Sequence, residues 1–259
     1  MMKKLSAVFL SVLVLALCLT ACGGRQNAAM KEIKDSDVLT MMTATGFPPY
    51  EYIGEDGQPA GIDIDIAQMV ADKLGVELKV LDMDFNLLVD SLKSGKGQLL
   101  AAAMSVTEDR AAQIDFSVPY ASDGQCLMVP KGSAITGVDD LAGKVVTVQE
   151  ATTGHIYAEE ELGLEVMSFK NAVECASALM GGKADAAVLD KITVMTLVSA
   201  NPDALEMVPG QLTEEQYVLG VAKNNEELKA VVDEVLQQAI DDGTIDALLE
   251  KHLAICKDL

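Results

Sequence analysis

From residue 38 onward the apolar positions come in two alternating textures. Short runs of aliphatic and β-branched residues fit strands, and longer stretches with apolar residues three and four apart fit one-sided helices. Their alternation predicts α/β layering around a largely parallel sheet. "VLTMMTA" (38–44) reads as a strand and is followed by the turn-rich "PPYEYIGEDGQPAG". Ile62, Ile66, Met69, Val70 and Leu74 then share one helical face, and Gly75 supplies a C-terminal stop. "VELKVLDM" (76–83) is a second strand, 86–95 a helix, and "QLLAAAM" (98–104) a buried third strand. Thr107 opens another helix, with Glu108 and Asp109 in the first turn, where the helix dipole favours anions. The same grammar restarts near 137. It gives a short helix in "GVDDLAG", a strand in "KVVTVQ", a helix over 154–162, a strand in "EVMSF", a helix over 171–182 and a strand in "DAAVLD" (185–190). A long amphipathic helix over about 225–241 breaks at Gly243, and a last helix runs from Thr244 to about 253.

Two segments repeat. "SLKSGKGQLLAAAM" (91–104) and "ALMGGKADAAVLD" (178–190) align without a gap, matching Leu92 with Leu179, Gly95 with Gly182 and Lys96 with Lys183. Each is a helix, a Gly-Lys turn and a buried strand, so the chain reads as two copies of one α/β architecture. In this register Ala103 matches Asp190, both at strand carboxyl ends, where open α/β sheets place ligands.

The pattern changes before residue 38. Two lysines precede an apolar run from Leu5 to Leu19 and then small residues up to Cys22, the layout of a secretory signal too short for a convincing membrane span. A lone transmembrane anchor is the competing reading. "LTAC" (19–22) resembles the lipobox of bacterial lipoproteins, which implies cleavage after residue 21 and lipidation of Cys22. "GGRQNAAMKEIKDSD" is polar and aperiodic, so 22–37 reads as a lipidated cysteine and flexible tether.

At 259 residues the chain can form two modest domains, and its formal net charge of −21 argues against nucleic acid as a partner. Past the anchor, Cys126, Cys175 and Cys256 match no zinc spacing and read as buried thiols, with one disulfide left open. His155 and His252 lie far apart, so neither a metal nor a cofactor is expected. Arginine is scarce, with Arg25 in the tether and Arg110 alone in the body against many lysines. An exposed cation is served as well by lysine, so Arg110 suggests a need for the planar fork. It reads either as the receptor for a carboxylate or as a surface ion pair with Glu108, Asp109 or Asp115.

"GFPPYEYIGEDGQPAGIDIDIAQMVADKLG", "LVDSLKSGKGQLLAAAMSVTEDRAAQIDFSVPY", "AVLD" and "DDGTIDALLEKHL", in this order, resemble the polar amino-acid-binding family of extracytoplasmic solute-binding proteins that feed ABC importers. The resemblance spans about 38–254. It implies a type II periplasmic-binding-protein-like α/β fold with two lobes, two hinge crossings and a ligand cleft between them. Lobe one would be 38–120 plus 217–259, lobe two 125–212, and the hinges 120–124 and 213–217. It further implies an L-amino acid captured by lobe closure and delivered to an ABC permease by a monomeric receptor, extracytoplasmic and lipid-anchored to the cell membrane.

The resemblance also implies a clamp. Arg110 would hold the ligand carboxylate, Ser105 and the backbone around Ala103 would help hold the α-carboxylate and the α-ammonium from lobe one, and Asp190 would take the α-ammonium from lobe two. Thr153 would meet the carboxylate, and Phe47 and Phe85 would sandwich the side chain. Other readings stay open: Asp190 as a helix N-cap, the phenylalanines as core, and Thr152 in place of its neighbour. Asp65 and Gly61 match the family but read as structure at a helix start. Gln98 departs from the usual aspartate, which changes a structural hydrogen bond. Ala44 stands where binders of basic amino acids often carry an acid, which weakens a lysine or arginine assignment, although Gln149 and Glu150 could supply polar contacts. The competing functions are an enzyme of cyclohexadienyl dehydratase type on the same scaffold, for which no catalytic group stands out, and a sensor module presenting its ligand to a partner.

Overall fold

The computed structural model describes residues 27–257, so the signal sequence and Cys22 lie outside the described residues. The stretch just after them corrects one expectation. Within the segment read as tether, helix α1 (Ala28–Ser36) forms, with Ala29, Met30 and Ile33 buried on one face. The backbone N–H of Ala29 donates to Asn225 Oδ1 at 2.8 Å, and Asn27 Oδ1 accepts from the Glu227 N–H at 3.0 Å. So short a helix is marginal alone, and its three apolar residues are too few to stand out in a polar segment; tertiary packing makes it form.

The remaining elements of the first half are β1 (Val38–Thr43), the hairpin β2 (Tyr52–Ile53) and β3 (Pro59–Ala60), α2 (Ile62–Leu74), β4 (Glu77–Asp82), α3 (Leu88–Lys93), β5 (Leu99–Ser105), α4 (Glu108–Gln113) and β6 (Ile114–Phe116). Then come β7 (Ala121–Asp123), β8 (Gln125–Pro130), β9 (Val146–Gln149), α5 (Thr153–Ile156), β10 (Val166–Phe169), α6 (Ala172–Met180), β11 (Ala186–Asp190), α7 (Lys191–Ala200) and β12 (Leu205–Met207). The chain closes with β13 (Glu215–Ala222), α8 (Glu226–Asp241) and α9 (Thr244–Cys256).

These strands make two main sheets, one in the order β4-β1-β5-β13-β6 with β7 also on β13, the other β10-β9-β11-β8-β12. Each is parallel over three strands, β4-β1-β5 and β10-β9-β11, and antiparallel beyond them. The expected largely parallel sheet is therefore mixed. The cause is topological: β8 and β13 follow the passages between sheets and enter from the cleft end, opposite to strands fed by helices. Those passages pair with each other, Glu215 opposite Asp123 and Tyr217 opposite Ala121.

All seven residues of β5 are buried, as its unbroken apolar run requires. The repeated turns are built alike. Lys96 N–H donates to Ser91 O at 3.0 Å and Lys183 N–H to Ala178 O at 2.9 Å, around Gly95 and Gly182, both left-handed. Gln98, the departure from the usual aspartate, pairs with β1 through its side chain, accepting from Thr40 N–H at 2.9 Å. Gly61 (φ 135°) lies so close to the Tyr50 carbonyl that a Cβ would overlap it. Asp65, in the first turn of α2, holds the last helix through Lys251 at 2.6 Å and His252 at 3.0 Å. Cys126, Cys175 and Cys256 are buried free thiols.

Candidate ligand-binding site

The carboxyl ends of β5, β9 and β11 point into one narrow hollow between the sheets. It is nearly closed and is lined by Phe47, Glu51, Phe85, Ala102, Ala103, Ser105, Arg110, Gln149, Thr152, Thr153 and Asp190. Every ligand-contact residue expected from the sequence is among them. Glu51 and Ala102 were not expected there. Glu51 sits in the turn-rich "PPYEY", where an acid between tyrosines reads as a solvated loop residue; its complete burial was the missing signal.

Arg110 is placed by its own helix start. Thr107 caps α4 by accepting from the Arg110 N–H, which aims the guanidinium back toward the end of β5. Its Nη1 donates to Ser105 O at 2.7 Å and its Nη2 to Ala151 O, in the other half of the chain, at 2.9 Å. Phe85 packs against the guanidinium face, 5.2 Å from ring centroid to Cζ. Arg110 is only 8% exposed, and among the described residues no carboxylate forms an ion pair with it. Asp115, one of the surface partners considered for it, pairs with Lys223 instead. Burial pulls the Arg110 pKa down to about 10 against the opposing influence of Glu215 and Asp190.

Across the hollow, Asp190 ends β11 at the N-cap position of α7 without making a side-chain cap. Its Oδ1 accepts from the Tyr217 hydroxyl at 2.5 Å instead. Burial pushes its carboxyl up to about 7, with the Tyr217 hydroxyl and the Gln125 amide opposing the shift. Ala103 takes a left-handed conformation (φ 43°), and its N–H donates to Asp63 Oδ2 at 2.7 Å while Tyr120 holds Oδ1 at 2.5 Å. The Ala103 N–H is thus already committed, which leaves the backbone carbonyl for any contact there.

The two neighbouring threonines differ. Thr152 Oγ1 donates to Gln149 O at 2.8 Å and caps α5 by accepting from the His155 N–H, whereas Thr153 Oγ1 accepts from the Gln125 amide at 3.3 Å. Two further oxygens, Glu51 Oε2 and Gln149 Oε1, are buried without a hydrogen-bond partner. Burial holds the Glu51 carboxyl well above the usual range, reinforced by the charges of Asp63, Asp190 and Asp82. Glu150, considered for a polar contact, is exposed and does not line the hollow.

A deeply buried cation, a buried acid facing it and unpartnered acceptors beside aromatic rings suit a small polar molecule carrying charges of both signs. Residues 39–255 match the family model described as bacterial extracellular solute-binding proteins, family 3. The chain is 30% identical to the ABC transporter glutamine-binding protein GlnH of Bacillus subtilis (strain 168), over 97% of this chain and 98% of that one. Among solved structures, a mutant of ArgBP from T. maritima superposes with a TM-score of 0.83 at 37% identity, covering 87% of this chain and 99% of the other. AbpA from Streptococcus pneumoniae, bound to L-arginine, gives a TM-score of 0.84 at 29% identity, over 88% and 100% of the two chains. With the family match spanning nearly the whole described chain and the fold shared at this level, the chain belongs to the bacterial extracellular solute-binding proteins, family 3.

Proposed function

We propose that this protein is the amino-acid receptor of an ABC importer, that its ligand carries a cationic side chain of the arginine type, and that Cys22 tethers it by lipid to the cell membrane. The observation that carries the reading is Arg110, a buried guanidinium with no carboxylate partner, facing Asp190 across the hollow. A zwitterion removed from water needs an opposite charge at each end, and each charge-assisted hydrogen bond contributes roughly 1.5–3 kcal/mol. Arg110, with Ser105 and Thr153 beside it, takes the α-carboxylate, and Asp190, with the free backbone carbonyl of Ala103, takes the α-ammonium. Because the two belong to different sheets, the ligand favours the closed arrangement over the open one, and that difference drives closure.

The side chain lies between Phe47 and Phe85 and reaches Glu51 and Gln149, whose free oxygens accept from a guanidinium. The absence of an acid at Ala44 then counts less against a basic ligand, since a guanidinium beside the Glu51 carboxyl favours its charged form over the neutral one that burial favours in the empty site. ArgBP and L-arginine-bound AbpA support this choice as relatives in structure. Micromolar affinity requires only about 8 kcal/mol, within reach of these contacts. Calorimetric titration of the protein against the twenty L-amino acids tests the proposal, with L-arginine expected to bind most tightly. Binding of none of them by folded protein would overturn it.

A further inference from the structure

Gln125 is buried completely, does not line the ligand hollow and yet reaches the lobe-two side of it. It stands directly opposite Asp190 in the antiparallel pairing of β8 with β11, so the two side chains emerge on the same face of the sheet. Its amide nitrogen donates to Thr153 Oγ1 at 3.3 Å and to Glu215 Oε1 at 3.4 Å, and it lies close enough to Asp190 to favour the charged carboxylate. The residue itself is pinned by the returning passage: its N–H donates to Thr213 Oγ1 at 2.9 Å and its carbonyl accepts from the Leu212 N–H at 2.7 Å. Gly154 completes the fit, because a Cβ there would strike Gln125 Oε1.

We infer that Gln125 is the positioning residue of the ligand clamp, holding the Asp190 carboxylate and the Thr153 hydroxyl ready for the ligand and tying both to Glu215 in the returning passage. The inference rests on the amino-acid reading above. A ligand-facing acid beside other buried acids needs donors around it to keep it oriented while the site is empty and to ease the loss of its proton when an ammonium arrives. The Tyr217 hydroxyl hydrogen-bonds Asp190 directly, and Gln125, its cross-strand partner, sets its amide beside the same carboxylate while donating to Thr153. One amide thereby sets both the ammonium end and the carboxylate end of the clamp.

The test compares Gln125→Met, which keeps length and volume but removes the donor, with wild-type protein. The probes are L-arginine and 5-guanidinopentanoate, the same molecule without its α-ammonium. Gln125→Met is expected to bind L-arginine about tenfold more weakly, because the Thr153 hydroxyl loses its donor and the Asp190 carboxylate loses the amide beside it. Its affinity for the desamino probe should fall by a smaller factor, since Asp190 has no ammonium to meet there. In an Asp190→Asn background the same substitution should change L-arginine binding little further. Equal weakening toward both probes, or full additivity with Asp190→Asn, would mark general loosening of lobe two and overturn the positioning role, as would unchanged binding in Gln125→Met. Should wild-type protein bind no L-amino acid, the reading of the site itself falls and the role of Gln125 falls with it.

Discussion

Arg110 is the only arginine in the described chain, and it is spent at a place where charge is expensive. A buried cation stripped of its partner costs several kcal/mol, so Arg110→Ala is expected to weaken the best ligand by about 2–5 kcal/mol, read by titration calorimetry. Unchanged affinity would mean that the guanidinium serves only Ser105 and Ala151. Glu51 gives a sharper contrast. Glu51→Gln should cost L-arginine about 1.5–3 kcal/mol while leaving any binding of L-glutamine nearly constant, because only the cationic side chain uses that charge. Arg110 was visible in the sequence through its rarity and Asp190 through the repeat, since both signals are carried by residue type and spacing. Glu51 was not, because its importance comes from burial by distant segments, which leave no local pattern.

At the level of elements, the strands and helices of the repeated units were legible because apolar periodicity and the Gly-Lys turns are local properties. The edges were not. β7 and β12 are three-residue strands formed only through partners far along the chain, and β6 with them is too short to show a period. Helix α1 is the clearest case, helical because Ile33 and its neighbours find α8 and β1 to pack on. Replacing the fully buried Ile33 by alanine is expected to destabilise the protein by about 2–5 kcal/mol in denaturant unfolding with ligand affinity unchanged. A loss of affinity equal to the loss of stability would show instead that α1 communicates with the cleft.

For the molecule as a whole, the buried acids make stability and binding respond to pH in opposite directions. Asp190 at about 7 and Asp63 at about 6 lie above the ordinary value near 3.8, each chiefly through burial. The empty folded protein therefore holds protons that the unfolded chain has released, and its stability falls as pH rises from about 4 through 7. An incoming ammonium reverses the preference at Asp190, so binding at neutral pH expels a proton. The thermal midpoint of the empty protein should rise between about pH 7.5 and 5.5 while ligand affinity declines over the same interval. Affinity that stayed flat would remove Asp190 from the clamp.

The two passages between the sheets bear on how the lobes move. Because β7 and β13 are hydrogen-bonded side by side, they form one ribbon, and Gly124 lets them touch where a Cβ would collide with Thr213. Two separate strings would let one lobe twist and slide against the other in several directions. A paired ribbon works like a leaf spring, compliant to bending across its face and stiff to shear in its plane, so the proposed closure would follow a single arc. Each capture event would then bring Arg110 and Asp190 back to the same spacing, and a partner reading the rim would meet one of two shapes, empty or loaded.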